Sequence, residues 1–409
     1  MENFDIGIIG GGPAGYTAGM MFAKQGKSVV LFEKDKLGGT CLNRGCIPTK
    51  TFLHISNLYS ELKKCDNCGI IAENISLDFS KAVEKKNGTI ERIRKSLELA
   101  VKNSGVKTIY ARACIKDKNT ILADNSEYRV NKIILATGSK PREIKGLEFD
   151  GSFILSSDDI LNLTTLPKSV LIVGSGAIGI EWARILSDFG VEVIVTEVAE
   201  HLIPLADIEV SKRIERIFKQ KKIKFYLNDS IEKIENGIVT LKSGQELSPE
   251  KILVAAGRVP ECPKCDCDTI LGDACGEIQL AHYAIHQAKA IALGIPFDKK
   301  LVPSVIYGEP EIAWIGLREQ DCDENCKKTV LPISALGKSW CDDATDGFIK
   351  LITKENKIVG AHIVSKEASA LIHTVLTAMQ NNITIDEFKQ ICFAHPTYSE
   401  GIFETLMQI

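Results

Sequence analysis

Two stretches of this chain carry one pattern, and that repeat restricts the fold more than any other feature. Phe4 to Ile9 is an apolar run that ends in Gly10-Gly11-Gly12-Pro13-Ala14-Gly15; a helical stretch follows, then Ser28 to Phe32, closed by Glu33. The same order returns at Ser169 to Val173, Gly174-Ser175-Gly176-Ala177-Ile178-Gly179, a helix through Phe189, and Val191 to Thr196, closed by Glu197. In both copies the acid lies 23 residues beyond the first glycine (Gly10 to Glu33, Gly174 to Glu197). The pattern reads strand, glycine turn, helix, strand, acid, which is the requirement of a dinucleotide site. The first glycine (Gly10, Gly174) makes the tight turn, the second (Gly12, Gly176) admits a pyrophosphate to the backbone, and the third (Gly15, Gly179) lets the helix pack closely. Unpaired N–H groups at the helix start then face the phosphates.

Each copy has a later partner that follows an apolar strand: Ala136-Thr137-Gly138-Ser139-Lys140-Pro141 and Ala255-Ala256-Gly257-Arg258-Val259-Pro260. Two nested Rossmann-like domains are the expectation, in an α/β chain. Glu33 and Glu197 are placed to accept hydrogen bonds from an adenosine ribose. With no arginine between Thr196 and Lys212, the second site should prefer NAD to NADP. Acid and partner lie farther apart in the first copy, so that domain holds an insertion of about 45 residues. Composition agrees with several packed domains: 409 residues, 44% hydrophobic, 25% charged. A formal net charge of −3 gives no reason to expect a nucleic-acid partner, and no apolar run is long enough to span a membrane. The start of the chain lacks the basic and apolar stretches of a signal peptide, and the 13 cysteines are an odd number at low density. Both point to the cytoplasm and to mostly free thiols.

One cysteine pair stands out, in Gly38-Gly39-Thr40-Cys41-Leu42-Asn43-Arg44-Gly45-Cys46-Ile47-Pro48-Thr49-Lys50. Five residues of α-helix rise about 7.5 Å, beyond what a disulfide spans, so a bond between Cys41 and Cys46 requires local unwinding. Gly45 and Pro48 supply the means. The other reading of these residues is two reduced thiols near a helix start.

This segment resembles the redox-disulfide motif of the pyridine nucleotide-disulfide oxidoreductases, and its form is most similar to the branch that oxidises dihydrolipoamide. The likeness continues in order through both glycine turns, their ATG and AxGR partners, Leu271-Gly272-Asp273, Leu280-Ala281-His282, Pro303-Ser304-Val305 with Pro310-Glu311, and Ala394-His395-Pro396-Thr397-Tyr398-Ser399-Glu400. The resemblance implies FAD at the first glycine turn, with Thr137 and Gly138 beside it and Asp273 reaching its ribityl chain. It places NAD at the second turn, with Gly257 nearby. It makes Cys41 and Cys46 the redox disulfide, Lys50 and Glu181 a pair near the flavin ring, His395 the acid/base of thiol chemistry, and Glu400 its orienting partner. The last two enter the partner subunit's site, so a homodimer is implied. The substrate is implied to be a lipoyl group on an acyltransferase or a glycine-cleavage carrier protein.

The residues alone leave other readings. Thr397-x-x-Glu400 is also a capping box for a helix from Gly401 to Met407. Lys50 and Glu181 are also ordinary helix-surface charges. His395 precedes a proline, which keeps its backbone extended and out of a helix interior. The likeness implies domains at 1–142 and 263–298 for FAD, 143–262 for NAD, and 299–409 as an α+β dimerisation domain containing a hairpin, Phe348 to Thr353 with Ile358 to Val364. It breaks after Val259, where a longer family segment is cut to Pro260–Ile270. The cut puts in question the completeness of the first sheet and the hold on FAD, and leaves a non-catalytic flavoprotein or redox sensor as an alternative beside a glutathione-type reductase. Cys262, Cys265 and Cys267 lie in that stretch and Cys65-x-x-Cys68 outside it; neither group has the ligands of a complete metal site, and none is expected.

Overall fold

The computed structural model describes residues 2–263, 267 and 269–409. It opens with β1 (Glu2–Ile9), α1 (Pro13–Lys24) and β2 (Val29–Glu33), and Pro13 starts α1 where a missing N–H is harmless. Next come α2 (Gly39–Arg44), α3 (Cys46–Leu62) and α4 (Phe79–Asn103), whose N-cap Asp78 accepts from the Lys81 N–H. Four strands follow, β3 (Lys107–Tyr110), β4 (Ala113–Asp117), β5 (Thr120–Ala123) and β6 (Ser126–Leu135), and the sheet order is β3-β2-β1-β6-β5-β4. β2 is buried along its whole length, as a parallel strand covered on both faces must be.

β7 (Ser139–Pro141) and β8 (Ile154–Leu155) lead to the second copy: β9 (Ser169–Val173), α5 (Ala177–Asp188), β10 (Glu192–Glu197), α6 (Ile208–Gln220), β11 (Lys224–Leu227), the meander β12 (Ile231–Glu235), β13 (Ile238–Leu241) and β14 (Glu246–Leu247), then β15 (Lys251–Val254). Its sheet order is β11-β10-β9-β15-β8, so the β11-β10-β9-β15 run repeats β3-β2-β1-β6 of the first sheet. Between the acid and the third strand the first copy holds α2, α3 and α4, the second only α6. The extra length expected in the first copy is therefore the element that carries the cysteine pair.

β16 (Arg258–Pro260) runs antiparallel to β7, and β17 (Thr269–Ile270) returns to pair with the C-terminal end of β6 (Thr269 with Ile134, Ile270 with Leu135). The shortened segment thus still delivers the chain back to the first sheet; two residues suffice because Leu271 N–H then donates to the Leu135 carbonyl. α7 (Ala281–Leu293) packs on α1. The last third is a five-stranded antiparallel sheet built from β18 (Ser304–Ile306), β19 (Glu311–Gly316), β20 (Lys327–Pro332), β21 (Phe348–Lys354) and β22 (Lys357–Ser365), in the order β18-β19-β22-β21-β20, with short α8 (Gly337–Cys341) beside it. The expected hairpin is β21–β22. α9 (Ala368–Gln380) covers this sheet, followed by α10 (Ile385–Phe388) and α11 (Glu400–Leu406). Among the described residues no helix is long and apolar enough to cross a membrane.

Candidate active site and dinucleotide turns

The two glycine turns are alike atom by atom. Gly10 and Gly174 have φ of +107° and +102°, and a Cβ on either would meet a carbonyl oxygen of the partner segment, Ala136 at 2.2 Å or Ala255 at 2.8 Å. A Cβ on Gly15 would lie 1.8 Å from the Gly10 oxygen, and on Gly179 2.0 Å from the Gly174 oxygen. The middle glycines differ: a Cβ on Gly12 comes no nearer to anything than 3.7 Å, and on Gly176 nothing lies within 4 Å. Two positions are closed by packing and one is left open, where a phosphate would approach. The acids brace the turns. Glu33 accepts from the Gly11 N–H and the Asp35 N–H, each at 2.8 Å. Glu197 accepts from Ser175 N–H (2.8 Å), Ser175 Oγ (2.7 Å) and Ala199 N–H (3.0 Å). No side chain caps α1 or α5, which leaves their N-terminal N–H groups to a ligand.

The first turn opens into a cleft of about 1670 Å³, walled by Gly10, Gly12, Glu33, Thr137, Gly138 and Asp273 among others. Asp273 accepts a 2.5 Å hydrogen bond from Ser139 Oγ, and Thr137 Oγ1 donates to the Glu261 carbonyl. Cys41, Cys46, Lys50 and Glu181 line the same cleft. Gly174, Gly176, Gly179, Glu197 and Gly257 do not line it; the second unit reaches the cleft through Ala177 and Ile178 at the start of α5, Glu181 and Trp182 further along it, and Asp158 and Arg258.

The cysteines sit on either side of a helix break. α2 stops at Arg44 and α3 starts at Cys46, and Gly45 between them is in neither conformation (φ −150°, ψ −110°). The unwinding that the spacing demands is present, and Pro48 falls in the first turn of α3, where it costs no hydrogen bond. Both sulfurs are thiols, and they hydrogen-bond to each other. The hydrogen bond from Cys41, and after it Lys50, lowers the Cys46 thiol to about 7 against the opposing effects of burial and Glu181. Cys41 moves strongly upward for the complementary reason, with burial added. Of the two sulfurs, Cys46 is the one drawn toward the thiolate, by Cys41 and by the Lys50 ammonium.

Lys50, one turn along α3, is clamped by both carboxylate oxygens of Glu181 (2.8 and 2.7 Å). Glu181 is buried on α5 and also accepts from the Tyr307 N–H at 3.1 Å, while the lysine ammonium stands 4.6 Å from the Tyr307 ring centre. This pair is a contact between helices of the two dinucleotide units and not the pair of solvated charges that the residues alone allowed.

His395 and Glu400 lie apart from the cleft. His395 Nδ1 is 2.8 Å from Glu400 Oε1, and the imidazole is 75% exposed. The other oxygen of Glu400 accepts from the Thr397 N–H at 2.6 Å, and Thr397 Oγ1 accepts from the Glu400 N–H at 3.4 Å. One carboxylate therefore holds both the imidazole and the turn at Thr397, but the expected capping box does not cap the helix: α11 starts at Glu400 itself, and its N-cap Ser399 makes no side-chain capping bond. Burial raises the Glu400 pKa, but the hydrogen bonds from His395 and Thr397 outweigh it and keep the group below the usual range.

Some groups escaped the sequence reading. Arg258, quoted there only as part of AxGR, donates from Nε to Ser139 Oγ (2.8 Å) and from its terminal nitrogen to the Ser139 carbonyl (2.7 Å), and pairs with Asp158 at 3.8 Å. It staples the second unit to the first. Tyr307 gave no local signal at all. Cys65 and Cys68 lie in a short 3₁₀ turn, and Cys68 engages Asp343. Cys262 and Cys267 flank a stretch in which Cys265 lies outside the described residues. Asp207, Glu209 and Glu319 are close enough to hold a metal, but the buried ammonium of Lys350 sits among them, 2.8 Å from Asp207 and 3.4 Å from Glu209.

Fold and site together define an oxidoreductase with two dinucleotide turns and a dithiol between them. Residues 4–284 match the pyridine nucleotide-disulphide oxidoreductase model, and residues 302–406 match the dimerisation domain of that family. The chain is 33% identical over 462 aligned positions to a dihydrolipoyl dehydrogenase of Bacillus subtilis (99% of this chain, 97% of the relative). It is 32% identical to one from Chlamydia pneumoniae (98% and 95%). Among solved structures it is similar to LpdA of Mycobacterium tuberculosis (TM-score 0.91, 23% identity, 100% and 99% covered). It is also similar to the flavoprotein disulfide reductase RclA of Escherichia coli (TM-score 0.87, 23% identity, 100% of both). The chain belongs to the pyridine nucleotide-disulphide oxidoreductases, flavoproteins that use FAD and a nicotinamide dinucleotide, and it carries their dimerisation domain.

Proposed function

We propose that this protein oxidises protein-bound dihydrolipoamide to lipoamide with NAD as acceptor, as a cytoplasmic homodimer. The units are 1–142 with 263–298 for FAD, 143–262 for NAD, and 299–409 for dimerisation. The observation that carries the reading is that Cys41 and Cys46, set on either side of the Gly45 break, line the wall of a dinucleotide-sized cleft together with Lys50 and Glu181. The cleft fits FAD: the open Gly12, the uncapped α1 and Asp273 beside Ser139 suit its pyrophosphate and ribityl chain. When bound there, FAD supplies two-electron transfer between the dithiol and a nicotinamide.

In the oxidised enzyme Cys41 and Cys46 share a disulfide. One dihydrolipoamide sulfur attacks Cys41, the S–S bond breaks, and Cys46 leaves as a thiolate, stabilised by Lys50 and the start of α3. His395 of the other chain, oriented by Glu400, takes the substrate's proton. The second substrate sulfur then displaces Cys41 from the mixed disulfide, which releases lipoamide and leaves the Cys41–Cys46 dithiol. Glu181 and Lys50 hold the ring-facing ends of α5 and α3 in register. Gly176, Ser175 and Glu197 receive NAD, and the Glu197 carboxylate opposes a 2′-phosphate. The lipoyl group arrives on an acyltransferase or a glycine-cleavage carrier protein. The test compares NAD-dependent oxidation of dihydrolipoamide with NADPH-dependent reduction of glutathione disulfide. The first reaction should run and the second should not; the reverse would refute the assignment.

A further inference from the structure

α5 carries two charged side chains one turn apart, Glu181 and Arg184, and both take hold of one short piece of chain, residues 307–310, which joins β18 to β19. At one end of this strap the Tyr307 N–H donates to Glu181 at 3.1 Å; at the other the Pro310 carbonyl accepts from Arg184 Nη1. Between them Gly308 runs against the guanidinium. At its φ of +147° a Cβ would stand 2.1 Å from Arg184 Nη1 and 2.7 Å from its Cδ. Arg184 is fully buried, and its Nε and Nη2 have no hydrogen-bond partner among the described residues. Burial lowers its pKa to about 10 against the pull of Asp188, Glu181, Glu309 and Glu311, so the group is charged at neutral pH. An apolar side chain would fill such a space without the cost of a buried cation. What the guanidinium adds is its grip on the strap. The strap in turn presents the Tyr307 ring to Lys50, whose ammonium stands 4.6 Å from the ring centre while both Glu181 oxygens clamp it. Lys50 lies four positions beyond Cys46 on α3, on the same face, and both line the cleft.

We propose that Arg184 is a positioning residue of the redox site: by fixing the strap it keeps the Tyr307 ring against Lys50 and so holds that ammonium on the Cys46 side of the cleft. The proposal rests on the reading of Cys41 and Cys46 as a redox pair beside FAD, and not on which dithiol the protein oxidises. Arg184 does not line the cleft, so its effect passes through the strap and Lys50. Without the bond to Pro310 the strap loses one of its two ties to α5, the ring leaves the ammonium, and Lys50 is free to swing away from the sulfur.

The test follows the thiolate-to-flavin charge-transfer absorbance of the FAD-loaded protein, reduced by two electrons with dithionite in the absence of oxygen, as the pH is lowered. The pH at which half the band is lost measures how firmly Cys46 keeps its negative charge. In Arg184→Met this midpoint should rise by about half a pH unit or more. Gly308→Ala, which sets a methyl between strap and guanidinium, should move it the same way. Leu186→Ala is the control for a loosened helix: Leu186 is equally buried on α5 and belongs to the apolar core, so its loss should lower the thermal midpoint and leave the pH midpoint alone. In a Lys50→Met protein, adding Arg184→Met should move the pH midpoint no further. An unchanged midpoint in either strap variant that binds FAD overturns the proposal. So does an equal shift in Leu186→Ala, or a further shift on the Lys50→Met background. The titration uses neither dihydrolipoamide nor NAD, so a protein that fails to oxidise dihydrolipoamide can still pass or fail it. A parent protein without the band refutes the redox reading itself, and the role of Arg184 with it.

Discussion

Cys46 owes its character to three neighbours that the break at Gly45 brings within reach: the Cys41 thiol, the Lys50 ammonium and the first turn of α3. An ordinary cysteine titrates near 8.5. In the reduced protein the alkylation of Cys46 should therefore rise with pH about a midpoint near 7, and Cys41→Ala should move that midpoint upward because the main lowering contact is gone. A midpoint that stays put in the variant would assign the effect to other groups. These residues were readable in advance, because a redox pair five positions apart needs a helix breaker between its members and Gly45 is written in the sequence. Tyr307 was not readable. Its backbone N–H meets a carboxylate 126 positions away, and nothing in the local sequence marks such a contact. Arg258 and Ser139, 119 positions apart, escaped for the same reason.

The glycine turns allow stability and binding to be separated at the level of one element. Gly179→Ala places a methyl 2.0 Å from the Gly174 oxygen, so the variant should lose roughly 2–3 kcal/mol of stability, read as a lower thermal midpoint. Gly176→Ala meets nothing within 4 Å and should melt close to the parent, yet it should bind NADH several-fold more weakly, as titration of the cofactor would show. If Gly176→Ala binds NADH as the parent does, the open position is not where the pyrophosphate sits. The repeat was legible because turn, helix start and acid lie within 23 positions in each copy. The return of the chain through β17 was not, since a strand of two residues has no periodicity to detect, and its register is set by β6.

Within one chain the dithiol lines a cleft and the His395–Glu400 pair stands exposed outside its walls, so the chain alone does not assemble both halves of the proposed chemistry. A two-fold dimer in which each chain lends His395 to the other makes a clear prediction. Cys41→Ser and His395→Gln homodimers should each be nearly inactive. Subunits unfolded and reassembled as an equal mixture should regain about a quarter of the parent rate, because half the dimers are mixed and each of those has one intact site of two. A mixture no more active than its components would place both groups on one chain's site.

The most direct measurement is rapid mixing of the FAD-loaded protein with dihydrolipoamide under anaerobic conditions, followed through the long-wavelength charge-transfer absorbance between a thiolate and bound flavin. The account predicts this band on reduction of the parent protein and its loss in Cys46→Ser, the variant that lacks the charge-holding sulfur. A Cys46→Ser protein that retains the band would contradict it.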